Sequence, residues 1–133
     1  MPIEPGLTAS VRREVGPEDT ALALGSGDLE VLGPPRLLAW CEQATMAALA
    51  PHVPASRSTV GTRVEVAHER ASAVGAVVTV RADLVHVDGR LLRFDVVAEQ
   101  DTDDGSGVVA RGQVTRLLVD RERFLARAGV ATR

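Results

Sequence analysis

Glu42 and His68 are the two residues whose types and surroundings point most clearly to chemistry. Glu42 is the only carboxylate within LLAWCEQATMAAL, a segment that is apolar on nearly every side of a helical wheel. His68 shares its strand phase with Val64 and Val66, so its side chain is expected to face an apolar interior. A carboxylate and an imidazole that both face inward are the parts of a general acid–base site.

Each of these residues also has a structural interpretation. A buried carboxylate is costly unless it is paired, hydrated or protonated, so Glu42 is also consistent with a partly exposed position or a structural ion pair. A histidine on an apolar strand face is often a packed residue with its hydrogen bonds satisfied, and His68 alone fits that description. The residues by themselves leave these alternatives open.

The remaining candidates for chemistry are weaker. His52 lies just past the end of the apolar segment, and His86 lies near a predicted hairpin tip. Cys41 lies on the most apolar stripe of the segment, which favours packing over a nucleophilic role. The spacing of the His, Cys and Asp residues resembles no metal site, so we expect no metal and no cofactor.

One helix and several strands must position these residues. The helix is predicted over Pro35–Ala50, because Pro is favoured in a first turn and Pro51 follows the expected end. Asp88-Gly89 predicts a tight hairpin turn. The stretch Gly25–Gly33 is predicted to be a loop. The predicted strands are Ala9–Val15, Thr20–Leu24, Arg57–Glu69, Ala76–Val87, Arg90–Glu99 and Gly107–Val119.

Long antiparallel strands that follow one very apolar helix can curl around it. The sequence therefore predicts an α+β hotdog fold, in which an antiparallel sheet wraps around one central helix. A single copy would leave a long unpaired edge strand, and pairing with a second copy is the usual remedy. We expect a homodimer, or a tetramer built from two dimers. The residues predicted to be nearly inaccessible are Leu37, Cys41, Ala44, Ala48, Val64, Val66, Val80 and Phe94.

Composition limits the function classes. The 133 residues fit one domain, with tails at 1–7 and 126–133 that we expect to fray. A net charge of −3, two Phe, one Trp and no Tyr argue against nucleic-acid binding. We expect no signal peptide in MPIEPGLTAS, no membrane span and no disulfide from the single cysteine, and so a cytoplasmic protein.

Two longer segments carry a family resemblance. EQATMAALAPHV, which begins at Glu42, is followed by STVGTRVEVAHERASAVG, in which His68 comes seven residues after Gly61. The hairpin segment VHVDGRLLRFDV and a last strand with Arg116 complete the pattern. Together these motifs closely resemble the fluoroacetyl-CoA thioesterase-like branch of the hotdog superfamily, over about residues 31–124.

The resemblance implies an acyl-CoA thioesterase and assigns roles to five positions. Glu42 and His68 match catalytic residues of the family, Gly61 matches the position whose amide can face the thioester oxygen, and Arg116 matches an arginine near the site. Pro34 occupies the position where the family usually has Thr. Because proline has neither a hydroxyl nor an amide hydrogen, a hydroxyl nucleophile is absent at that position.

Two functions follow as hypotheses. The first is hydrolysis of a small or medium acyl-CoA, in which Glu42 and His68 assist attack by water. The second is a hotdog dimer that binds acyl-CoA or another apolar ligand without turnover, because Pro34 removes one expected group. Residues 1–35 contain no Phe, Tyr or Trp, so no counterpart of an aromatic lid supports fluoroacetyl-CoA as substrate. Candidate contacts for the CoA phosphates are Arg57, Arg63 and Arg70.

Overall fold

The computed structural model describes residues 2–102 and 105–130, and its side chains are described outside residues 102–106. Five strands and three helices follow one another along this part of the chain. Their order is β1 (Thr8–Glu14), α1 (Ala21–Leu24), α2 (Pro34–Leu49), β2 (Arg57–His68), β3 (Val77–Asp88), β4 (Leu91–Thr102), β5 (Gly105–Asp120) and α3 (Arg121–Arg127).

Proline residues mark both ends of the long helix α2. Pro34 and Pro35 occupy its first two positions, where an amide hydrogen would have no partner within the helix. The Gly33 carbonyl accepts the first amides of the helix, and Pro51 lies just past the last turn. The helix prediction is confirmed, with each bound shifted by one residue.

The strands form one antiparallel sheet in the order β1-β3-β4-β5-β2. The β3–β4 hairpin turns at Asp88-Gly89, where Gly89 has a φ of 59°, a conformation that favours glycine. The sheet covers the buried face of α2, and this arrangement confirms the predicted hotdog architecture. Strands β1 and β2 form the two edges, so β2 has a strand partner on one side alone among the described residues.

The core lies between α2 and the middle strands. Six of the residues predicted to be inaccessible are confirmed, because each is 6% exposed or less: Leu37, Cys41, Ala44, Ala48, Val80 and Phe94. The same prediction is wrong for Val64 and Val66, which are half-buried. The helix packs mainly against β1 and β3 at the far side of the sheet, so it gives the inner face of β2 less cover.

One face of α2 is left uncovered by the described residues. Met46 is 52% exposed, and Gln43 and Ala47 beside it are exposed as well. In a single copy, the sheet therefore covers only part of the surface of α2. The uncovered face of α2 adjoins Glu42, which precedes Met46 by one helical turn.

One further prediction needs correction. The segment Thr20–Leu24 is a helical turn and not a strand, because the Thr20 hydroxyl accepts a hydrogen bond from Ala23 N and Gly25 ends the turn with a φ of 75°. In the described part of the tail at 1–7, Ile3 and Leu7 pack against the core.

The predicted carboxyl-terminal tail, 126–133, begins inside a helix. The helix α3 runs to Arg127, and Val130 N donates to the Leu125 carbonyl at 2.9 Å. Residues 131–133 lie outside the described part. Among the helices of the described ranges, none has the length and hydrophobicity that a membrane span requires.

Candidate active site

An ion pair between α2 and β5 forms the centre of the candidate site. Arg116 Nη1 donates to Glu42 Oε2 at 3.0 Å. The Arg116 side chain is 5% exposed and the Glu42 side chain 37%, so the arginine is enclosed while the carboxylate reaches open space. A buried arginine with fixed partners orients the carboxylate that it contacts.

Thr59 of β2 holds the other nitrogens of this guanidinium. Arg116 Nε donates to the Thr59 hydroxyl at 2.9 Å, and Nη2 donates to the Thr59 carbonyl at 3.0 Å. Burial lowers the pKa of Arg116 from its ordinary value, and the charge and hydrogen bond of Glu42 oppose that change. An arginine still remains protonated at neutral pH, so the site carries a fixed positive charge beside Glu42.

Gly61 lies directly against the carboxylate. It pairs with Arg116 in the β2–β5 register, and a Cβ at this position would collide with Glu42 Oε2. A register shift between Gly61 and Arg63 inserts Thr62 as an extra residue, which bends the strand here. Glycine at position 61 therefore allows the Glu42 carboxylate to rest on the β2 backbone.

His68 and Pro34 lie together in a different cavity of about 290 Å³, where Leu32 and Arg70 are among the lining residues. His68 Nε2 is inaccessible and has no hydrogen-bond partner among the described residues. Burial lowers the pKa of His68 from its ordinary value of 6.5, and a hydrogen bond with the Arg70 backbone partly opposes this. Burial therefore favours the neutral form of His68.

The two groups of residues are separated within one chain. Seven residues of strand separate Gly61 from His68, a distance of about 23 Å. Eight residues of helix separate Pro34 from Glu42, about 12 Å along the axis. The structure thus brings Glu42, Gly61 and Arg116 together in one half-site and Pro34 with His68 in another, and does not join the two within a chain.

Comparison with known proteins identifies the family. The model of the fluoroacetyl-CoA-specific thioesterase family matches residues 15–122, a range that contains both half-sites. The chain belongs to this family. A relative, the fluoroacetyl-CoA thioesterase of Streptantibioticus cattleyicolor, is 34% identical over 86 residues. The match covers 65% of this chain and 59% of that protein, so it spans less than two thirds of the relative's length.

Solved structures agree with the family assignment. A variant of the fluoroacetyl-CoA thioesterase in complex with acetyl-CoA is 26% identical, covers 96% of this chain and 97% of its own, and superposes with a TM-score of 0.87. A hot-dog-like protein from Thermanaerovibrio acidaminovorans is 21% identical, with coverage of 97% and 94% and a TM-score of 0.82. The second likeness supports the fold alone.

Thr59 contacts Arg116 in the candidate site, and the sequence motifs did not predict it. Its signal was its strand phase, since it lies two residues before Gly61 on β2. Thr45, a buried polar residue of α2, donates its hydroxyl hydrogen to the Glu42 carbonyl at 2.6 Å and so belongs to the helix itself. Of these two threonines, only Thr59 shares its strand face with Gly61, and this shared face is the sequence signal for a position in the candidate site.

The lesser candidates fall outside the site. Cys41 is buried, and burial together with the Glu42 charge raises its pKa to about 11, so the thiol is inert at neutral pH. His86 is exposed, and His52 lies in the turn after α2. Among the described residues, no group of three or more His, Cys, Asp or Glu side chains is placed to hold a metal ion.

Proposed function

We propose that the chain is a thioesterase that hydrolyses small or medium acyl-CoA substrates. The observation that carries this proposal is the Glu42 carboxylate, which Arg116 holds over Gly61 in a member of a thioesterase family. The relative that the chain matches is named for hydrolysis of fluoroacetyl-CoA, and a variant of that enzyme binds acetyl-CoA. CoA thioesters are thus the substrate class that the site suits best.

We propose further that the working site forms between two copies of the chain. The unpaired edge of β2 and the uncovered face of α2 are both available for a second copy, and β2 carries one residue of each half-site. Antiparallel pairing of two β2 strands about a two-fold axis brings His68 of one copy towards Gly61 of the other.

Charge supports a particular register for this pairing. Arg63 and Glu65 flank Val64, and their exposed side chains pair with each other in the single chain. A two-fold axis at Val64 would set each Arg63 opposite Glu65 of the other copy, a favourable cross-strand pair. The same register places His68 opposite Val60, next to Gly61.

In the proposed reaction, Glu42, His68 and Gly61 each have a separate role. Glu42 orients a water against the thioester carbonyl carbon, and neutral His68 takes a proton from that water as the C–O bond forms. The Gly61 amide stabilises the oxyanion, an effect often worth about 3 kcal/mol. When the C–S bond breaks, His68 returns the proton to the departing sulfur, and the carboxylic acid and free CoA leave.

Pro34 favours direct attack by water in this chain. It lies in the same cavity as His68, where a side-chain hydroxyl would be placed for nucleophilic attack, but proline offers none. A covalent acyl-enzyme at position 34 is therefore excluded by its chemistry. If the absence of a hydroxyl at position 34 limits the rate of this chain, Pro34→Thr is expected to raise the rate of hydrolysis.

A thiol-release assay over a panel of acyl-CoAs tests the proposal. We expect turnover of at least one short or medium ester, and a loss of about 10²-fold or more in Glu42→Gln and in His68→Ala. Full activity in both variants would overturn the catalytic assignment. A stable monomer in sedimentation at micromolar protein would overturn the shared site.

The second candidate function is acyl-CoA binding without hydrolysis, which the missing hydroxyl at Pro34 favours. Thermal-shift measurements with CoA esters, run beside the thiol-release assay, separate the two. Stabilisation by the esters without thiol release would establish the binding protein, since ligand binding to the folded state raises the unfolding temperature by mass action.

A further inference from the structure

Two cavities lie near the junction between β5 and α3. The smaller, of about 200 Å³, is lined in part by Met46 and Thr59 and reaches Arg121, the first residue of α3. The larger, of about 550 Å³, is lined in part by the preceding residue, Asp120, so the two cavities reach neighbouring positions of the chain. Thr59 contacts Arg116, so the smaller cavity opens beside the Glu42 half-site.

The smaller cavity is a largely apolar passage. Besides Met46, its lining includes Leu49, Ala50 and Val53 at the end of α2 and the turn that follows. Arg121 donates hydrogen bonds to the Ala55 and Arg57 carbonyls, so its guanidinium is occupied in holding this turn against α3. The apolar lining of this passage suits a mainly apolar chain.

The larger cavity, here called the arginine pocket, carries a local positive charge. Arg90 from the β3–β4 hairpin and Arg123 and Arg127 from α3 line it, together with a single carboxylate, Asp120. None of these three arginines forms an ion pair within the described ranges. The chain as a whole is acidic, at −3, so this concentration of arginine favours an anionic ligand.

Part of the lining of the arginine pocket is apolar. Leu117 and Val119 of β5 contribute to it, together with Phe124, which is 37% exposed. A flat aromatic group can stack on a phenylalanine ring while guanidinium groups bind phosphate oxygens in pairs. The lining therefore suits a phosphorylated nucleotide better than a simple anion or a fatty acid.

We propose that the arginine pocket binds the adenosine 3′-phosphate 5′-diphosphate end of CoA, with the pantetheine arm lying in the passage beside Met46. Arg123 and Arg127 bind the phosphates and Phe124 stacks on the adenine. This assignment rests on the proposed function, since it names where the substrate of that site is held. It differs from the sequence-based candidates for the phosphate contacts, Arg57, Arg63 and Arg70. Of these, Arg63 is already neutralised by Glu65.

The kinetics of an acyl-CoA and of the same acyl group on pantetheine test this proposal. In Arg123→Gln/Arg127→Gln, KM for the acyl-CoA is expected to rise about tenfold with kcat kept, because two charge-assisted contacts are lost. KM for the acylpantetheine is expected to stay constant, since that substrate lacks the nucleotide. For the acyl ester of dephospho-CoA, the rise in KM should lie between those for the other two substrates.

Arg12→Gln is the matched control, because Arg12 is an exposed arginine of β1 at the edge of the sheet opposite to β2. It removes charge without touching the pocket and should leave KM unchanged. An equal rise of KM in the control, or an unchanged KM for acyl-CoA in the double variant, would overturn the pocket assignment while hydrolysis itself persists.

Calorimetric titration with free CoA keeps the two proposals separable. If the wild type hydrolyses nothing but binds CoA, the thioesterase proposal fails, and weaker CoA binding in the double variant still supports the pocket. Equal CoA binding in wild type and double variant overturns the pocket, as does a wild type that binds no CoA. Adenosine 3′,5′-bisphosphate should compete with CoA if the nucleotide end provides the contacts.

Discussion

Glu42 on α2 and Arg116 on β5 are 74 positions apart in sequence, yet Arg116 Nη1 lies 3.0 Å from Glu42 Oε2. The arginine is almost wholly enclosed, whereas more than a third of the carboxylate is exposed. Such a pair orients an acid for chemistry more than it stabilises the fold, because the exposed member is screened by water. Its neighbours Gly61 and Thr59 therefore become the residues through which the geometry can be tested.

Gly61→Ala is expected to reduce kcat by about 10²-fold, since the new Cβ would displace Glu42 Oε2 and small misplacements of a catalytic group are costly. Steady-state kinetics on the best acyl-CoA measure the effect. The double variant with Glu42→Gln serves as the control and should be little worse than either single change. Additive losses would show that Gly61 acts independently of the carboxylate.

Thr59→Val should lower kcat and cost about 1–3 kcal/mol of unfolding free energy, because the enclosed Arg116 Nε loses its acceptor. Urea unfolding and steady-state kinetics provide the two measurements. Thr59→Ser, which keeps the hydroxyl, should restore both quantities. Thr79→Val, at an exposed position of β3, is the control and should change neither. A Thr59→Val protein with normal stability and kcat would rule out the positioning role.

The pH dependence should reflect His68. Burial lowers its pKa in the folded state from the ordinary 6.5, so the unfolded chain binds the proton more readily. The free energy of unfolding therefore falls as the pH drops from 6.5 towards the pKa of His68 in the folded state. The contribution of His68 to stability is fully present above pH 6.5. Hydrolysis should decline on the acid side with a midpoint below 6.5, because neutral His68 accepts the first proton.

Urea titrations at pH 7.5 and 5.5 test the stability component. His68→Gln should lose less stability than the wild type between these two pH values. An identical loss in both proteins would show that other groups govern the acid sensitivity.

Phe94 tests the placement of the core. It is 0% exposed on β4, so Phe94→Ala should cost about 3–5 kcal/mol in urea or thermal unfolding. Val85→Ala, at an exposed position of β3, should cost far less. A loss under about 1 kcal/mol for Phe94→Ala would place the inner face of the sheet elsewhere.

The sequence predicted the parts that depend on local patterns. The α2 bounds follow from proline placement, and the hairpin follows from Asp88-Gly89. The strand prediction for Thr20–Leu24 is wrong, because a capping threonine before the segment and a glycine after it are signals of a helical turn.

Other features depend on tertiary placement that no local pattern encodes. Thr59 contacts Arg116 because of the β2–β5 register, and a shift by one residue would send its side chain to the other face. Val64 and Val66 are half-buried because α2 lies over β1 and β3, a position that strand periodicity does not report. The periodicity around Glu42 and His68 predicted that both side chains face inward. It contained no information about the distance between them within one chain.

The proposed division of the site between two copies is tested most directly by mixing two inactive variants. Glu42→Gln and His68→Ala are unfolded and refolded together in equal amounts, and thiol release from the best acyl-CoA is measured. If each site uses Glu42 of one copy and His68 of the other, half of the dimers are mixed and each has one intact site, so activity should recover to about a quarter of the wild-type value. Recovery to no more than the level of either variant alone, with mixed dimers shown to be present, would contradict the shared catalytic site.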